Sequence, residues 1–157
     1  VTTILGIDPG GMTGLALVQW HPDYPDTLGF TVIPWEVRGL RPGDLMGIVN
    51  RAASDARRQL LVACEDFVLR GLNGRRTHTG PKATLDLIGA VRTVSFPHVL
   101  RPAAAVKPWA SDKRLAAAFG PGAFRGLPHA ADAARHALYA GVRDFGWPDP
   151  LVLVTDA

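Results

Sequence analysis

The sequence predicts an α/β fold, a mixed five-stranded sheet flanked by helices. Three observations lead there. Apolar runs of strand length come first, joined by turn residues. Helical periodicity takes over from Pro42 onward, alternating with shorter apolar runs. Within that half, the run at 61–69, LVACEDFVL, is apolar before and after its two acids without alternation, which marks a strand covered on both faces.

Each element has its own reason. Thr3 to Asp8 and Leu15 to Trp20 are apolar runs flanking a glycine-rich turn, which predicts an antiparallel hairpin. Residues 21–28, with Pro22 and Pro25, form a loop. A third strand covers 29–37, and Pro34, having no amide donor, puts it at a sheet edge. Pro42 opens a helix to about Gln59, with Leu45, Ile48, Val49, Ala52 and Ala56 at helical spacing. The central strand 61–69 follows, then a polar, basic loop from Arg70 to Gly80. A helix from Pro81 to Val94 carries Leu85, Ile88 and Val91 along one side. Residues 97–100 give a short strand, and Ser111 N-caps a helix to about Phe119. Pro128 opens the last helix, which ends near Gly146. There is no internal repeat and no long linker, so one domain over 1–157 is expected.

At 157 residues, 47% hydrophobic and 20% charged, the chain can bury one core without covalent staples. Its single cysteine, Cys64, cannot form an internal disulfide and reads as a small core residue of a reducing cytoplasm. No run of 18 apolar residues and no charged-then-apolar leader signals membrane insertion or export. Charge is unevenly spread. Between Phe67 and Arg114 there are nine basic residues and two acidic ones, out of 17 and 14 in the whole chain. That stretch therefore carries +7 within a net charge of +3. Such asymmetry predicts a face for a polyanion.

Four residues stand out as chemistry-bearing. Asp8 ends an apolar strand, where a carboxylate is costly unless paired, although Pro9-Gly10-Gly11 would also suit a plain turn aspartate. Glu65 sits in the covered strand, with Asp66 beside it on the opposite face. In LPHAADAARHAL, 127–138, His129 and Asp132 fall within about 60° of each other on a helix, and His136 continues the stripe. Taken singly, His129 could be a helix-start residue in water and Asp132 a surface acid paired with Arg135 or His136. Ala130, Ala133, Ala134, Ala137 and Gly141 form a smooth neighbouring face for close approach to a sheet.

GIDPG after a strand, a glutamate in a central strand and a helical HxxDA near the chain end resemble the RuvC Holliday-junction resolvases, RNase H-like nucleases. GIDPGGMTG, EDFVLR and HAADAARHAL together are similar to the bacteriophage-type RuvC-like enzymes. The resemblance implies a metal-dependent endonuclease acting on four-way junctions and other branched DNA in a bacterial or phage-infected cytoplasm. It implies that Asp8, Glu65, His129 and Asp132 are catalytic metal ligands, and it selects Glu65 over Asp66. Lys107, in AAAVKPW, resembles a basic residue near the scissile phosphate. It also implies a homodimer, with helix 81–94 as the interface. Arg70, Arg75, Arg76, Lys82, Lys107 and Lys113 are the expected DNA-binding residues. The loop LRGLNGRRTHTG would face the junction centre, but no aromatic stands between Phe67 and Phe96 to act as a wedge.

The chemistry matches these residue types. Two Mg²⁺ or Mn²⁺ ions about 3.5–4 Å apart can stabilise the phosphoryl oxygens, activate a water and stabilise the leaving oxygen. Hard cations prefer carboxylate oxygens. Three carboxylates and an imidazole leave two such ions with net positive charge for a phosphate. On this reading Asp8 bridges both ions, Glu65 binds one, and Asp132 with His129 binds the other. Two alternatives are an RNA-processing nuclease of the same fold and an actin-like or sugar-kinase nucleotide-binding domain. The latter shares D-x-G-G-x-T-G at residues 8–14 but needs a second domain and a second phosphate loop.

Overall fold

The computed structural model describes residues 2–23, 29–57, 59–67, 69–70, 76–77 and 82–152. Strands β1 (Thr3–Asp8), β2 (Met12–Trp20) and β3 (Phe30–Arg38) form an antiparallel meander. Strands β4 (Leu60–Glu65) and, later in the chain, β7 (His98–Arg101) add in parallel on the other side of β1, giving the order β3-β2-β1-β4-β7. This is the mixed five-stranded sheet the sequence predicts. Pro34 lies in edge strand β3 opposite Ala16, where its missing donor is tolerated.

Strand alternation sends the two halves of the core to opposite faces. Ile4, Ala16, Val18, Leu61 and Ala63 pack against helix α5 (Pro128–Phe145) and against Leu115 of α4 (Asp112–Phe119). Leu5, Ile7, Leu15, Val62 and Cys64 pack against α1 (Pro42–Asp55) and α2 (Lys82–Arg92). Each fully buried Leu, Ile or Val contributes roughly 1.5–3 kcal/mol of transfer free energy. Helix α5 reaches the sheet through its alanines: Ala130, Ala133, Ala134 and Ala137 are fully buried. The sheet answers with glycines. A Cβ at Gly6 would strike the Ala133 carbonyl, and one at Gly14 the His129 carbonyl. Gly141 serves a different neighbour from the expected sheet, because its missing side chain makes room for the Trp147 ring. Gly146 ends α5 in the left-handed conformation, and Ser111 caps α4 by accepting from the Arg114 amide.

Several boundaries differ from expectation. Helix α1 stops at Asp55, short of Gln59, because the chain turns left-handed at Arg57 (φ 48°). Strand β4 stops at Glu65, short of 69: its partner β7 ends at Arg101, whose carbonyl accepts from the Asp66 amide at 2.8 Å. Strand β2 begins three residues earlier, at Met12, since β3 extends to Arg38 and pairs with it. The expected basic loop contains a two-residue ladder, β5 (Leu69–Arg70) with β6 (Arg76–Thr77). Its residues 71–75 and 78–80, and Pro81, lie outside the described residues. A one-turn helix α3 (Ala103–Val106) follows Pro102, an element too short to show a period in the sequence. Among the described residues, no helix is long and apolar enough to cross a membrane.

Candidate active site

Asp8 and Glu65 end two neighbouring parallel strands, each following the register pair Ile7 and Cys64. Alternation places both carboxylates on the face covered by α5, together with Gly6 and Ala63. Asp66 goes the other way, 3.4 Å from the Arg92 guanidinium on α2. Both candidate side chains are mostly buried, Asp8 at 13% and Glu65 at 16% exposure.

Helix α5 brings three side chains to these strand ends. In its first turn, His129 places Nδ1 2.9 Å from Asp8 Oδ2. One turn on, Asp132 has Oδ2 3.0 Å from Lys107 Nζ, while its Oδ1 accepts from Arg135 Nη1. One turn further, buried His136 places Nε2 3.5 Å from Glu65 Oε2. The i, i+3, i+7 stripe thus touches the ends of β1 and β4 and the residue after α3.

Charge is in conflict here. Burial pushes the Asp8 carboxyl from 3.8 up to about 6; the His129 hydrogen bond opposes that, and the charges of Glu65 and Asp132 add to it. Acidic side chains are therefore close enough to destabilise one another's charge. Lys107 shows the complement: its hydrogen bond to Asp132 holds the ammonium above its ordinary range, against a smaller effect of burial. Cys64, just beneath, is buried in the core, and burial pushes its thiol up, which makes it inert.

Three further residues build this region. Buried Arg135 donates Nε to the Ala110 carbonyl at 2.6 Å and its two terminal nitrogens to Asp132 and Asp112. Glu36, on β3, accepts at Oε1 from the backbone amides of His129 (2.8 Å) and Ala130 (3.2 Å). His136 backs Glu65. The helical stripe already signalled His136, and Arg135 stood one turn after Asp132, although as a surface partner rather than a buried clamp. Glu36 left no signal, because its proximity to α5 is purely tertiary.

The donor chemistry suits hard divalent cations, with carboxylates and an imidazole converging on one sheet end. Among the described residues, however, no three His, Cys, Asp or Glu side chains stand together as a finished metal site. Both oxygens of Asp132 are engaged, one by Lys107 and the other by Arg135. Among the described residues, the expected DNA-binding residues stand on several different elements. Lys107 sits at the site, Lys113 is exposed on α4, and exposed Lys82 pairs with Asp86 on α2. Arg70 and Arg76 are register partners in the small ladder, and Arg75 lies outside the described residues.

The sheet order, with helices on both faces, makes the fold RNase H-like. Among solved structures, it is similar to T. thermophilus RuvC in complex with Holliday junction substrate, at a TM-score of 0.57 and 21% identity. That match covers 93% of this chain and 97% of the other. No protein-family model and no curated protein matches the chain.

Proposed function

We propose that this chain is a metal-dependent, structure-selective endonuclease that hydrolyses phosphodiesters in Holliday junctions and other branched DNA. The observation that carries this is the convergence of Asp8 and Glu65, at adjacent strand ends, with the His129 and Asp132 stripe of α5. The fold likeness to a protein solved with a Holliday junction supports the choice of substrate class.

In this reading Asp8, Glu65, His129 and Asp132 would hold two Mg²⁺ or Mn²⁺ ions. When bound, such ions neutralise phosphoryl oxygens and acidify water. The chain's own groups do the rest. His129 donates to Asp8 and orients that carboxylate. His136 closes the buried side of Glu65. Lys107, half exposed and paired with Asp132, would contact the phosphate, and would have to release that carboxylate for it to hold a metal ion. Arg135 fixes the other oxygen of Asp132 to the scaffold. Arg70, Arg75, Arg76, Lys82 and Lys113 hold the DNA backbone, which orients the substrate without reading its sequence. The functional unit is a single domain spanning 1–157, acting as a homodimer that cuts two strands symmetrically.

The test is incubation with end-labelled four-way, forked and linear DNA, and with RNA counterparts, with and without Mg²⁺ or Mn²⁺. Metal-dependent cleavage of branched DNA is expected, and Asp8→Asn should abolish it while retaining DNA binding. Preferential cleavage of RNA would replace the substrate class. Cleavage by Asp8→Asn at the wild-type rate would remove the assigned site.

A further inference from the structure

Helix α5 begins with Leu127-Pro128, and Leu127 offers no side-chain cap. A helix start normally needs acceptors for its first amides. Here the acceptor comes from another element. Glu36, on edge strand β3, accepts from the amides of both His129 and Ala130 through the same oxygen. Its register partner on β2 is Gly14, the residue whose missing side chain admits the His129 backbone. Gly14 and Glu36 therefore form one seat: the glycine sets how closely α5 descends, and the glutamate fixes the helix start upon it. A negative charge at the helix N-terminus also complements the helix dipole.

His129 is consequently held twice. Its backbone amide is fixed by β3, and its ring is fixed by Asp8 on β1. We infer that Glu36 is a positioning residue of the candidate active site, docking the first turn of α5 so that His129 reaches Asp8. This rests on the endonuclease reading only for its catalytic consequence; the docking itself does not. A cap that merely stabilised the helix could be supplied by the helix's own residue. A cap on β3 adds something a local one cannot, namely a fixed distance between helix and sheet.

Two variants separate these roles. Glu36→Ala removes the acceptor, and Glu36→Ala combined with Leu127→Asp restores a cap within the helix. The readouts are thermal midpoint, hydrogen exchange at the His129 and Ala130 amides, the nuclear Overhauser contact between the His129 ring and the Asp8 methylene, and cleavage of a four-way junction. Glu36→Ala should lower the midpoint, speed both amides and weaken the ring contact. A displacement of about 1 Å would reduce cleavage about a hundredfold. The double variant should recover midpoint and amide protection, but neither the ring contact nor cleavage. Glu36→Gln keeps an acceptor oxygen and should retain the contact. Persistence of the ring contact in Glu36→Ala overturns the inference, as does its full recovery in the double variant. If the wild type cuts no nucleic acid, the endonuclease reading fails, and the ring contact still decides the role of Glu36.

Discussion

His129 Nδ1 meets Asp8 Oδ2 at 2.9 Å across 121 positions of sequence. This contact joins the first turn of α5 to the end of β1, and it is formed by two residues of unlike solvation. Asp8 is mostly buried, whereas His129 is 46% exposed. The hydrogen bond only partly offsets what burial and the neighbouring carboxylates do to Asp8. A charged Asp8 is therefore unfavourable in the folded protein, and that cost is measurable in the pH dependence of stability.

That dependence has a definite sign. The Asp8 pKa is raised from 3.8 to about 6 on folding, so the folded state binds the proton more tightly than the unfolded state. Neutral Asp8 favours folding below about pH 4, and this contribution is lost as pH rises through about 6. Asp8→Asn should thus stabilise the metal-free protein above pH 6, by at most about 3 kcal/mol, and have little effect below pH 4. Urea unfolding of both proteins in chelator, from pH 3.5 to 7.5, checks it. A difference that does not change with pH would contradict the assigned cause.

Arg135 gives a second, structural prediction. Its guanidinium is buried and serves three acceptors: the Ala110 carbonyl, Asp132 and Asp112. Arg135→Leu would leave the Ala110 carbonyl without its donor and Asp132 with Lys107 alone, at a cost of about 3 kcal/mol. Asp112 is 95% exposed, so Asp112→Ala should change stability by less than about 1 kcal/mol. Denaturant midpoints for the two variants test the contrast, and equal values would mean that the Arg135 cluster is not an anchor.

Much of this was legible in sequence for a physical reason. Asp8 closes an apolar run, and HxxD spacing on a helix brings His129 and Asp132 to one face; strand pattern left Glu65 and Asp66 both open, and the family resemblance chose Glu65. Pro34 marked an edge strand for the same kind of reason. What escaped was either too short for a period, as with α3 and the β5–β6 pair, or fixed by contacts between distant elements. Glu36 belongs to the second group, as does the Lys107–Asp132 pairing. Strand β4 is shorter than its apolar run because apolarity continues into Phe67, while pairing ends where β7 ends.

The basic segment yields a third prediction. Replacing Arg75, Arg76 and Lys82 together with neutral residues should weaken binding to every DNA shape. Each phosphate no longer neutralised by the protein lowers the slope of log affinity against log salt by about 0.9. Lys82 is 87% exposed and pairs only locally with Asp86, so its removal leaves the fold intact. Fluorescence anisotropy on junction and duplex DNA at several salt concentrations gives the slopes. An unchanged slope would move the DNA-binding face elsewhere.

The choice of imidazole over carboxylate at position 129 carries the last prediction. Imidazole is a softer ligand than a carboxylate and suits Mn²⁺ better than Mg²⁺. Wild-type cleavage should therefore run at least as well with Mn²⁺. His129→Asp supplies a hard oxygen in the first turn of α5, so activity should persist with a preference shifted toward Mg²⁺. Without metal, that variant sets a second carboxylate against Asp8 in place of a hydrogen-bond donor, and its thermal midpoint should fall below wild type until Mg²⁺ is added. His129→Ala loses both ligand and donor; it should cut slowly and be partly rescued by raised metal concentration. Rates and midpoints for the three proteins over Mg²⁺ and Mn²⁺ titrations decide the matter. Indistinguishable rates would remove His129 from the metal site, and a midpoint difference that metal does not alter would leave its ring as a structural donor to Asp8.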